Sequence, residues 1–347
     1  MKPFSNSSIL SAIGNTPIVR LNRVASAVNA EIYAKLEFMN PGGSIKDRAG
    51  VYMCERASAK GDLLPGGIIV ESTSGNTGVG VCLYANTHNH PCIFVMADKQ
   101  SCEKIAYLKA FGAKVIICPT DVASDDPRSY CSVAADLASK LGALYLDQNN
   151  NPDNTECHYR QTGPEIYRQT EGDFDVLVAG VGTGGTISGI GRYLKERNPA
   201  IRVVGVDCTG SVIAGFRRTG KVYGQAPYHL EGLGGSSIPS NIDFDVIDHF
   251  EIIGDAESFR MTRDLLLREG IYAGGSSGAA VAAALNYVKN SSEGKRILVI
   301  LPDSGDRYAA KIFNDNWMRG QGFLQPATAD ELDRRIRDFL IGGVTLV

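Results

Sequence analysis

A single lysine, Lys46, follows a glycine turn within residues 41–48. Ser44 and Asp47 have the spacing of a capping box, which predicts a helix that begins at Ser44 and ends before Gly61. The positive end of the helix dipole would then lie beside the Lys46 amine and favour its neutral form. A neutral lysine amine can form a Schiff base with an aldehyde cofactor. The same run is equally compatible with a solvated lysine that begins a helix.

A glycine-rich loop, residues 180–186, follows a strand-like run and precedes a predicted helix that begins near Ile187. Backbone N–H groups at a helix N-terminus bind phosphate oxygens, and glycines allow the anion to come close. Thr183 and Thr186 add hydroxyl donors that suit a compact terminal phosphate. An amine and a phosphate loop in one chain together indicate pyridoxal 5'-phosphate as the cofactor.

The same loop also matches the dinucleotide fingerprint G-x-G-x-x-G. Gly180, Gly182 and Gly185 have the required spacing, and Asp207 ends the next strand, where a ribose-binding acid would stand. This alternative predicts a nicotinamide-dependent dehydrogenase. It leaves Lys46 and the next two motifs without a role, and we favour it less for that reason.

Two further loops combine hydroxyl side chains with the start of a predicted helix. In residues 71–78, E-S-T-S-G-N-T-G, hydroxyl and N–H groups could hold a carboxylate, and Asn76 could donate to a phenolic oxygen. In residues 273–278, a serine hydroxyl could bond a pyridine nitrogen without fully protonating it. Either loop could instead be an ordinary turn into a helix, capped by a serine such as Ser74.

The elements that would position these motifs alternate between strand and helix along the chain. This alternation predicts mostly parallel, doubly wound sheets, whose ligands bind beyond the C-terminal ends of the strands. The motif loops fall at those ends. The expected strands are residues 31–36, 68–71, 92–96, 115–118, 176–179, 203–207 and 297–301.

The four motifs together resemble the fold type II pyridoxal-phosphate enzymes of the cysteine synthase and cystathionine β-synthase family, over residues 8–323. Segments D-Q at 147–148, T-G-P-E-I at 162–166 and L-P-D-S-G-D-R-Y at 301–308 match in the family's order. The resemblance implies an α/β fold of two lobes, each a mostly parallel doubly wound sheet, with the cofactor in the cleft between them, as in the tryptophan synthase β-subunit. It implies a smaller substrate-binding lobe (40–152), a larger cofactor-phosphate lobe (1–39 and 153–325) and a C-terminal tail (326–347).

The resemblance also implies a role for each motif. Lys46 would form the Schiff base and carry the proton at the substrate α-carbon. Asn76 would bond the phenolic oxygen of the cofactor, and Ser276 would face its pyridine nitrogen. The cofactor phosphate would be held by Gly182, Thr183, Gly184, Gly185 and Thr186, and the substrate carboxylate by Ser72, Thr73, Ser74, Gly75, Thr77 and Gln148.

These roles imply β-replacement on an activated serine through an α-aminoacrylate intermediate. Ser72 stands where the family usually has proline, and that form resembles a smaller branch that joins O-phospho-L-serine to L-glutamate. Its product, N-(2-amino-2-carboxyethyl)-L-glutamate, leads to 2,3-diaminopropionate for siderophores or antibiotics. A phosphorylated donor would need cationic partners, and Arg128, Arg217 and Arg218 are candidates by charge alone.

Three alternatives to that branch stay open. The chain could make cystathionine from serine and homocysteine, or cysteine from an activated serine and sulfide. It could also be a non-catalytic binding subunit that keeps the fold, although the joint presence of Lys46, Asn76 and Ser276 counts against this.

The composition is that of an ordinary globular protein and agrees with the family. It has 347 residues, 44% of them hydrophobic, and a net charge of −3, which offers no basic surface for nucleic acid or an anionic membrane. No run approaches the roughly 20 apolar residues of a membrane helix, and the N-terminus lacks a signal-peptide core. We therefore expect a cytoplasmic enzyme that binds neither nucleic acid nor a membrane. The family resemblance implies small-molecule amino-acid substrates and a homodimer.

The cysteines and the length carry two further expectations. The eight cysteines show no C-x-x-C pair and no metal-ligand spacing, so we expect most of them to be buried thiols and expect no metal site. Many cystathionine β-synthases continue into a regulatory domain pair, for which 347 residues are too few. We expect no regulation through such a pair.

Overall fold

A computed structural model describes residues 8–122, 126–291 and 295–325, together with Ile336. The described residues form these strands: β1 (Ile18–Leu21), β2 (Glu31–Leu36), β3 (Ile69–Ser72), β4 (Cys92–Ala97), β5 (Lys114–Cys118), β6 (Leu144–Tyr145), β7 (Val176–Gly180), β8 (Arg202–Cys208), β9 (His249–Ile253) and β10 (Arg296–Leu301). Six of them form one sheet in the order β1-β2-β10-β7-β8-β9, and four form a second in the order β5-β4-β3-β6. Every neighbouring pair is parallel except β1 and β2.

The α-helices of the same residues are α1 (Lys46–Lys60), α2 (Asn76–His88), α3 (Cys102–Ala110), α4 (Tyr130–Leu141), α5 (Pro152–Cys157), α6 (Gly163–Thr170), α7 (Gly185–Lys195), α8 (Ile213–Thr219), α9 (Asp255–Glu269), α10 (Gly275–Asn290) and α11 (Asp315–Gly320). Short 3-10 helices cover Ile9–Ala12, Glu37–Met39 and Gly305–Tyr308, and a π-helix covers His158–Thr162. Within the described ranges, no helix is both long and apolar enough to cross a bilayer.

The strands agree closely with those expected from the sequence. All seven predicted strands are present, and their ends differ from the prediction by at most one residue. The prediction missed β1, β6 and β9. All three lie at sheet edges, where one side of the strand stays unpaired, and a shorter or more polar segment suffices there.

The division into lobes remains a prediction. The strands of the four-stranded sheet lie between residues 69 and 145, and those of the six-stranded sheet lie at 18–36 and 176–301. The predicted boundaries at residues 40 and 152 are compatible with this separation. The predicted tail, 326–347, lies outside the described residues apart from Ile336.

Strand β10 shows why the larger sheet is buried on both faces. Its sequence R-I-L-V-I-L is almost continuously apolar, as expected for a parallel strand with helices on both faces. Ile297 and Val299 join the cluster that contains the alanines of α10, whereas Leu298 and Ile300 join the cluster that contains α7. The central strand thus anchors one core on each side of the sheet.

A buried ion cluster holds α1 against the larger sheet. The Arg48 guanidinium donates from Nε to Glu37 Oε2 at 2.8 Å and from Nη1 to Glu165 Oε2 at 2.8 Å. Lys35 of β2 donates to Glu165 Oε1 at 2.6 Å. Burial opposes ionisation of Glu165, but Arg48 and Lys35 outweigh it and lower the pKa of Glu165 to about 2. The two positive charges of Lys35 and Arg48 balance the two negative charges of Glu37 and Glu165. Lys46 lies two residues before Arg48 in α1, so the cluster also restrains the first turn of this helix.

Glycines allow α1 and α2 to pack very closely. A Cβ added to Gly80 would lie 2.4 Å from the carbonyl oxygen of Lys46, and one added to Gly50 would lie 2.7 Å from the carbonyl carbon of Gly80. Both contacts are with backbone, which has no rotamer to change. This crossing therefore fixes where the first turn of α1 lies.

We predict that Gly80→Ala lowers the free energy of unfolding by about 1 to 3 kcal/mol, because the added methyl overpacks the crossing. Gly215→Ala is the matched control, since a Cβ at that α8 glycine would have no atom within 4 Å. It should stabilise the protein by up to about 1 kcal/mol through helix propensity. Urea unfolding measures both variants, and wild-type stability of Gly80→Ala would contradict the close packing.

Candidate functional site

The start of α1 differs from the prediction by two residues. The helix begins at Lys46 rather than Ser44, and the Ser44 hydroxyl accepts the Lys46 backbone N–H at 3.2 Å. The Asp47 carboxylate accepts the Gly42 N–H at 2.6 Å, and the Asp47 N–H donates to the Ser44 carbonyl rather than to its hydroxyl, so the capping box is not formed. The helix ends as predicted before Gly61, which adopts φ +82°. The glycine turn and the helix start thus form one hydrogen-bonded unit that directs Lys46.

The Lys46 amine lies against the glycine-rich loop. Its Nζ donates to Thr183 Oγ1 at 3.1 Å. Burial lowers the pKa of the amine from 10.5 to about 8, because the charged form loses its water. The sequence argument for a neutral amine was based on the helix dipole, whereas the structure makes desolvation the largest cause.

The glycine-rich loop presents a concentrated set of donors. It joins β7 to α7, which begins at Gly185, two residues earlier than predicted, and Gly184 adopts φ +85°. The N–H groups of Thr183 and Gly184 meet no acceptor among the described residues. Those of Gly185 and Thr186 open the helix, where helical geometry provides no partner. Four backbone donors and two hydroxyls therefore lie together beside Lys46.

Two residues that the sequence analysis did not single out contact the hydroxyls of this loop. Asn154 Nδ2 donates to Thr183 Oγ1 at 3.1 Å. His158 Nε2 lies 3.2 Å from Thr186 Oγ1, and its Nδ1 lies 2.9 Å from Thr162 Oγ1. Burial lowers the pKa of His158 well below 6.5, so its ring is neutral. No spacing or composition distinguishes either residue from ordinary helical positions.

The loop between β3 and α2 is not capped by Ser74. The residue before α2 is Gly75, at φ +121°, and no side chain caps the helix. The Gly75 N–H instead donates to Thr73 Oγ1 at 2.9 Å. The interpretation of Ser74 as an ordinary cap is therefore wrong. The first N–H groups of α2 lack a side-chain partner and are suited to an anion.

The side chains of Ser72 and Gln148 are engaged within the protein. Ser72 Oγ lies 2.9 Å from Tyr145 Oη, and the residue is only 1% exposed. Gln148 accepts the Thr77 hydroxyl at 2.5 Å and donates to the Ser72 carbonyl at 2.8 Å. These bonds brace the loop, and the two bonds of Gln148 do not use the second N–H of its Nε2.

Asn76 and Ser276 belong to helix starts that share one partner, Asp303. Asn76 Nδ2 donates to Asp303 Oδ2 at 2.8 Å, and its Oδ1 accepts from Arg307. The Gly274 N–H donates to the Asp303 carbonyl at 2.9 Å, and Ser276, 3% exposed, follows as the second residue of α10. Asp303 thereby joins the loop of residues 71–78, which contains Asn76, to the loop of residues 273–278, which contains Ser276.

Asn154 joins the remaining motifs. Besides its bond to Thr183, its Nδ2 donates to the Gln148 carbonyl at 2.8 Å. Thr183 also accepts from Lys46, and Gln148 is bonded to Ser72 and Thr77. Hydrogen bonds therefore connect the lysine, the glycine-rich loop and the loop between β3 and α2. The structure thus links the motifs that the sequence separates by up to 230 residues.

The three candidate arginines lie at the surface. Arg128 donates to Asp126 at 2.8 Å, which partly neutralises its charge. Arg217 and Arg218 are exposed near the end of α8. Their positions alone do not connect them to the motifs.

Asp207 is used inside the protein. Its carboxylate accepts the Cys208 N–H at 2.9 Å and the Ala214 N–H at 2.8 Å, and the residue is 1% exposed. It is therefore not available to a ribose hydroxyl. The dinucleotide interpretation loses the acid that it requires.

The residues fit a cofactor that carries an aldehyde and a phosphate. The free N–H groups of residues 183–186 suit phosphate oxygens, and the partly neutral Lys46 amine lies next to them. A Cβ added to Gly185 would lie 2.2 Å from Asn154 Oδ1, so the close packing behind the loop depends on glycine. Pyridoxal phosphate has both of the required groups.

Comparison with known proteins agrees with this fit. The family model described as "Pyridoxal-phosphate dependent enzyme" matches residues 9–303. A cystathionine beta-synthase of Apis mellifera is 45% identical over 329 residues, which cover 94% of this chain and 65% of that protein. The chain thus spans less than two thirds of the length of this relative, and 57% of the mouse cystathionine beta-synthase.

Solved structures are similar over nearly the whole chain. An O-ureido-L-serine synthase mutant with O-ureido-L-serine bound superimposes with a TM-score of 0.84 at 34% identity, covering 96% of this chain and 98% of that one. An O-acetylserine dependent cystathionine beta-synthase from Helicobacter pylori gives 0.80 at 39% identity, covering 88% and 98%. This chain therefore shares the α/β fold of both neighbours, which match 96% and 88% of its length.

The lowered pKa of Lys46 predicts a specific pH dependence. In the cofactor-free protein, the unfolded state keeps a proton on Lys46 between pH 8 and 10.5 that the native state has released. Stability should therefore rise with pH in this window, by up to about 3 kcal/mol. Lys46→Met lacks this contribution. Urea unfolding of both proteins from pH 7 to 10.5 isolates it, and a difference that does not change with pH would contradict the low pKa.

Proposed function

The chain belongs to the pyridoxal-phosphate-dependent enzyme family, and from this premise we propose that it catalyses β-replacement on an activated serine. The observation that carries the proposal is the Lys46 amine, partly neutral and in contact with a loop of free N–H donors. The names of the relatives, cystathionine beta-synthase and O-ureido-L-serine synthase, are those of enzymes that build new side chains on serine-derived carbon.

Lys46 is the acid–base residue of this proposal. Bound pyridoxal phosphate withdraws electrons from the substrate α-carbon and makes its proton acidic. Lys46 Nζ then takes that proton and later returns it. A pKa of about 8 keeps both forms of the amine accessible near neutral pH, which proton transfer in both directions requires.

The start of α2 would hold the substrate carboxylate. Thr73, Ser74, Gly75 and Thr77 surround the uncapped N–H groups of this helix, and its dipole favours an anion there. The side chains of Ser72 and Gln148 brace this loop. A fixed substrate carboxylate would orient the α-proton of the substrate towards Lys46 Nζ.

Ser276 would face the pyridine nitrogen of the cofactor. A serine hydroxyl is neutral at every physiological pH and does not protonate the ring nitrogen fully. With Ser276 as its partner, the ring of bound cofactor would take up less negative charge from the α-carbon, which would favour loss of the β-substituent over transamination. Ser276 is almost completely buried at the start of α10, which restricts the position of its hydroxyl.

We propose O-phospho-L-serine as the donor and L-glutamate as the nucleophile. The support is the E-S-T-S-G-N form of residues 71–76, which resembles the branch that makes N-(2-amino-2-carboxyethyl)-L-glutamate. The exposed Arg217 and Arg218 are candidates to attract a doubly charged phosphate and a second carboxylate. The product would supply 2,3-diaminopropionate for siderophore or antibiotic synthesis.

Cystathionine synthesis is the second candidate, since the Apis mellifera relative of that name is 45% identical to this chain. It would use serine or O-acetylserine with homocysteine. Cysteine synthesis with sulfide is a third pair of the same reaction type.

The remaining parts of the proposal concern assembly and location. We propose a cytoplasmic homodimer, which the family resemblance supports. Light scattering coupled to size exclusion would give the mass of the assembly, and a monomer mass near 37.1 kDa would contradict the dimer.

The substrate pair is tested by a matrix of donors and nucleophiles. Holoenzyme is incubated with L-serine, O-acetyl-L-serine or O-phospho-L-serine, each with L-glutamate, L-homocysteine or sulfide, and products are identified by mass spectrometry with assay of released phosphate. We expect phosphate release and N-(2-amino-2-carboxyethyl)-L-glutamate from one pair. Cystathionine as the main product would favour the second candidate. No product from any pair would contradict β-replacement.

The role of Lys46 predicts a large kinetic effect. Lys46→Ala should lower the turnover number by about 10²- to 10⁴-fold, the range for loss of a positioned acid–base residue. Lys109→Ala changes an exposed lysine of α3 in the same way and should leave turnover unchanged. Equal turnover of Lys46→Ala and the control would contradict the assignment.

A further inference from the structure

Both polar atoms of the Asn76 side chain are bound by charged, buried partners. Asn76 Nδ2 donates to Asp303 Oδ2 at 2.8 Å, and Asn76 Oδ1 accepts from Arg307 Nη1. All three residues are at most 8% exposed. A carboxylate only accepts hydrogen bonds and a guanidinium only donates them. Rotating the amide by half a turn would therefore oppose two acceptors on one side and two donors on the other.

The carboxylate of this arrangement is itself held. Tyr308 Oη donates to Asp303 Oδ2 at 2.6 Å, and Lys104 Nζ donates to Tyr308 Oη at 3.0 Å. Lys104 also pairs with Glu231 at 2.7 Å. A continuous line of buried hydrogen bonds therefore runs from Glu231, in the loop after α8, to Asp303.

The guanidinium is held by the turn that precedes Lys46. Arg307 Nη2 donates to the Gly42 carbonyl, and the Arg307 carbonyl accepts the Ser101 hydroxyl at 2.8 Å. A Cβ added to Gly43, which has φ +80°, would lie 3.0 Å from Arg307 Nη2, so a glycine makes room for the guanidinium. Arg307 thereby links the start of α1 to the start of α2.

We propose that Asp303 and Arg307 are positioning residues that fix the orientation of the Asn76 amide, so that its second N–H points to the phenolic oxygen of pyridoxal phosphate. The inference rests on the role proposed for Asn76 and is independent of the donor and the nucleophile. Without these two partners, the Asn76 amide would point its oxygen rather than its N–H towards the cofactor in a fraction of the protein molecules. Two acceptors would then face each other, and the cofactor would bind less tightly.

The test compares two cofactors that differ only at that oxygen. Dissociation constants of pyridoxal 5'-phosphate and of 3-deoxypyridoxal 5'-phosphate, which lacks the phenolic oxygen, are measured by fluorescence titration of the cofactor-free protein. The double variant Asp303→Asn/Arg307→Gln replaces both one-way partners with amides that donate and accept, which allows Asn76 to flip. Each single variant keeps one partner that still holds the amide. Asn76→Ala is the reference variant.

Asp306→Asn is the matched control. It makes the same change three residues along, where the carboxylate accepts the Tyr107 hydroxyl at 3.1 Å and does not contact Asn76. Thermal unfolding of each cofactor-free variant checks that it folds. The ratio of the two dissociation constants cancels losses that affect both cofactors equally.

We expect Asp303→Asn/Arg307→Gln to weaken binding of pyridoxal phosphate by about twofold or more, because a freely flipping amide presents its N–H in only about half of the molecules, and to leave the 3-deoxy analogue unchanged. Asp306→Asn should change neither. Equal weakening of both cofactors would mean a purely structural role and would overturn the proposal. If Asn76→Ala alone discriminates between the cofactors, the positioning role is wrong and the role of Asn76 stands. If Asn76→Ala weakens binding of the two cofactors equally, the role of Asn76 and the positioning role of Asp303 and Arg307 are both wrong. The proposal for the donor and the nucleophile does not depend on this result.

Discussion

The buried ion cluster of Lys35, Glu37, Arg48 and Glu165 is the constraint on which the candidate site depends. Arg48 follows Lys46 by two residues in α1, and its guanidinium is fixed between two carboxylates of other elements. Removing one partner of such a buried pair typically costs about 3 to 5 kcal/mol, because a charge is left uncompensated. The first turn of α1 therefore cannot rotate freely. On its other side, Gly80 of α2 lies against the Lys46 carbonyl. From this fixed turn, the lysine side chain extends to Thr183.

That direction changes the chemistry of the amine. At pH 7, a lysine with a pKa of 10.5 is neutral in about one molecule in 3,000, whereas a pKa of about 8 makes about one in ten neutral. The gain of about 300-fold in reactive amine comes from burial, which is a property of the assembled fold. The nearby N–H donors of residues 183–186 explain why the same place suits an anion. A partly neutral amine thus lies one hydrogen bond away from the hydroxyl of Thr183, in the loop that suits an anion.

The sequence predicted the interior strands and the motif loops well, for reasons that are local. Apolar runs such as that of β10 and glycines before helices carry their signal in a few neighbouring residues. Edge strands such as β1 and β9 were missed because an unpaired edge needs no continuous apolar run. The capping box at Ser44 and Asp47 did not form because the Ser44 hydroxyl accepts the Lys46 N–H and the Asp47 N–H donates to the Ser44 carbonyl.

The supporting residues of the site could not be predicted in this way. Asn154, His158 and Asp303 act through contacts with residues 28 to 227 positions away in the chain, and only the folded structure brings them together. The same holds for Ser72, whose hydroxyl faces Tyr145.

The most direct test of the central claim is to find which amine carries the cofactor. Borohydride reduction of the holoenzyme makes the bond between an amine and the cofactor permanent, and mass spectrometry of its peptides locates the modified residue. A pyridoxyl group on Lys46 alone is the predicted result. Modification of another lysine, or none in protein that has been supplied with pyridoxal phosphate, would contradict the claim that this buried amine is the centre of the site.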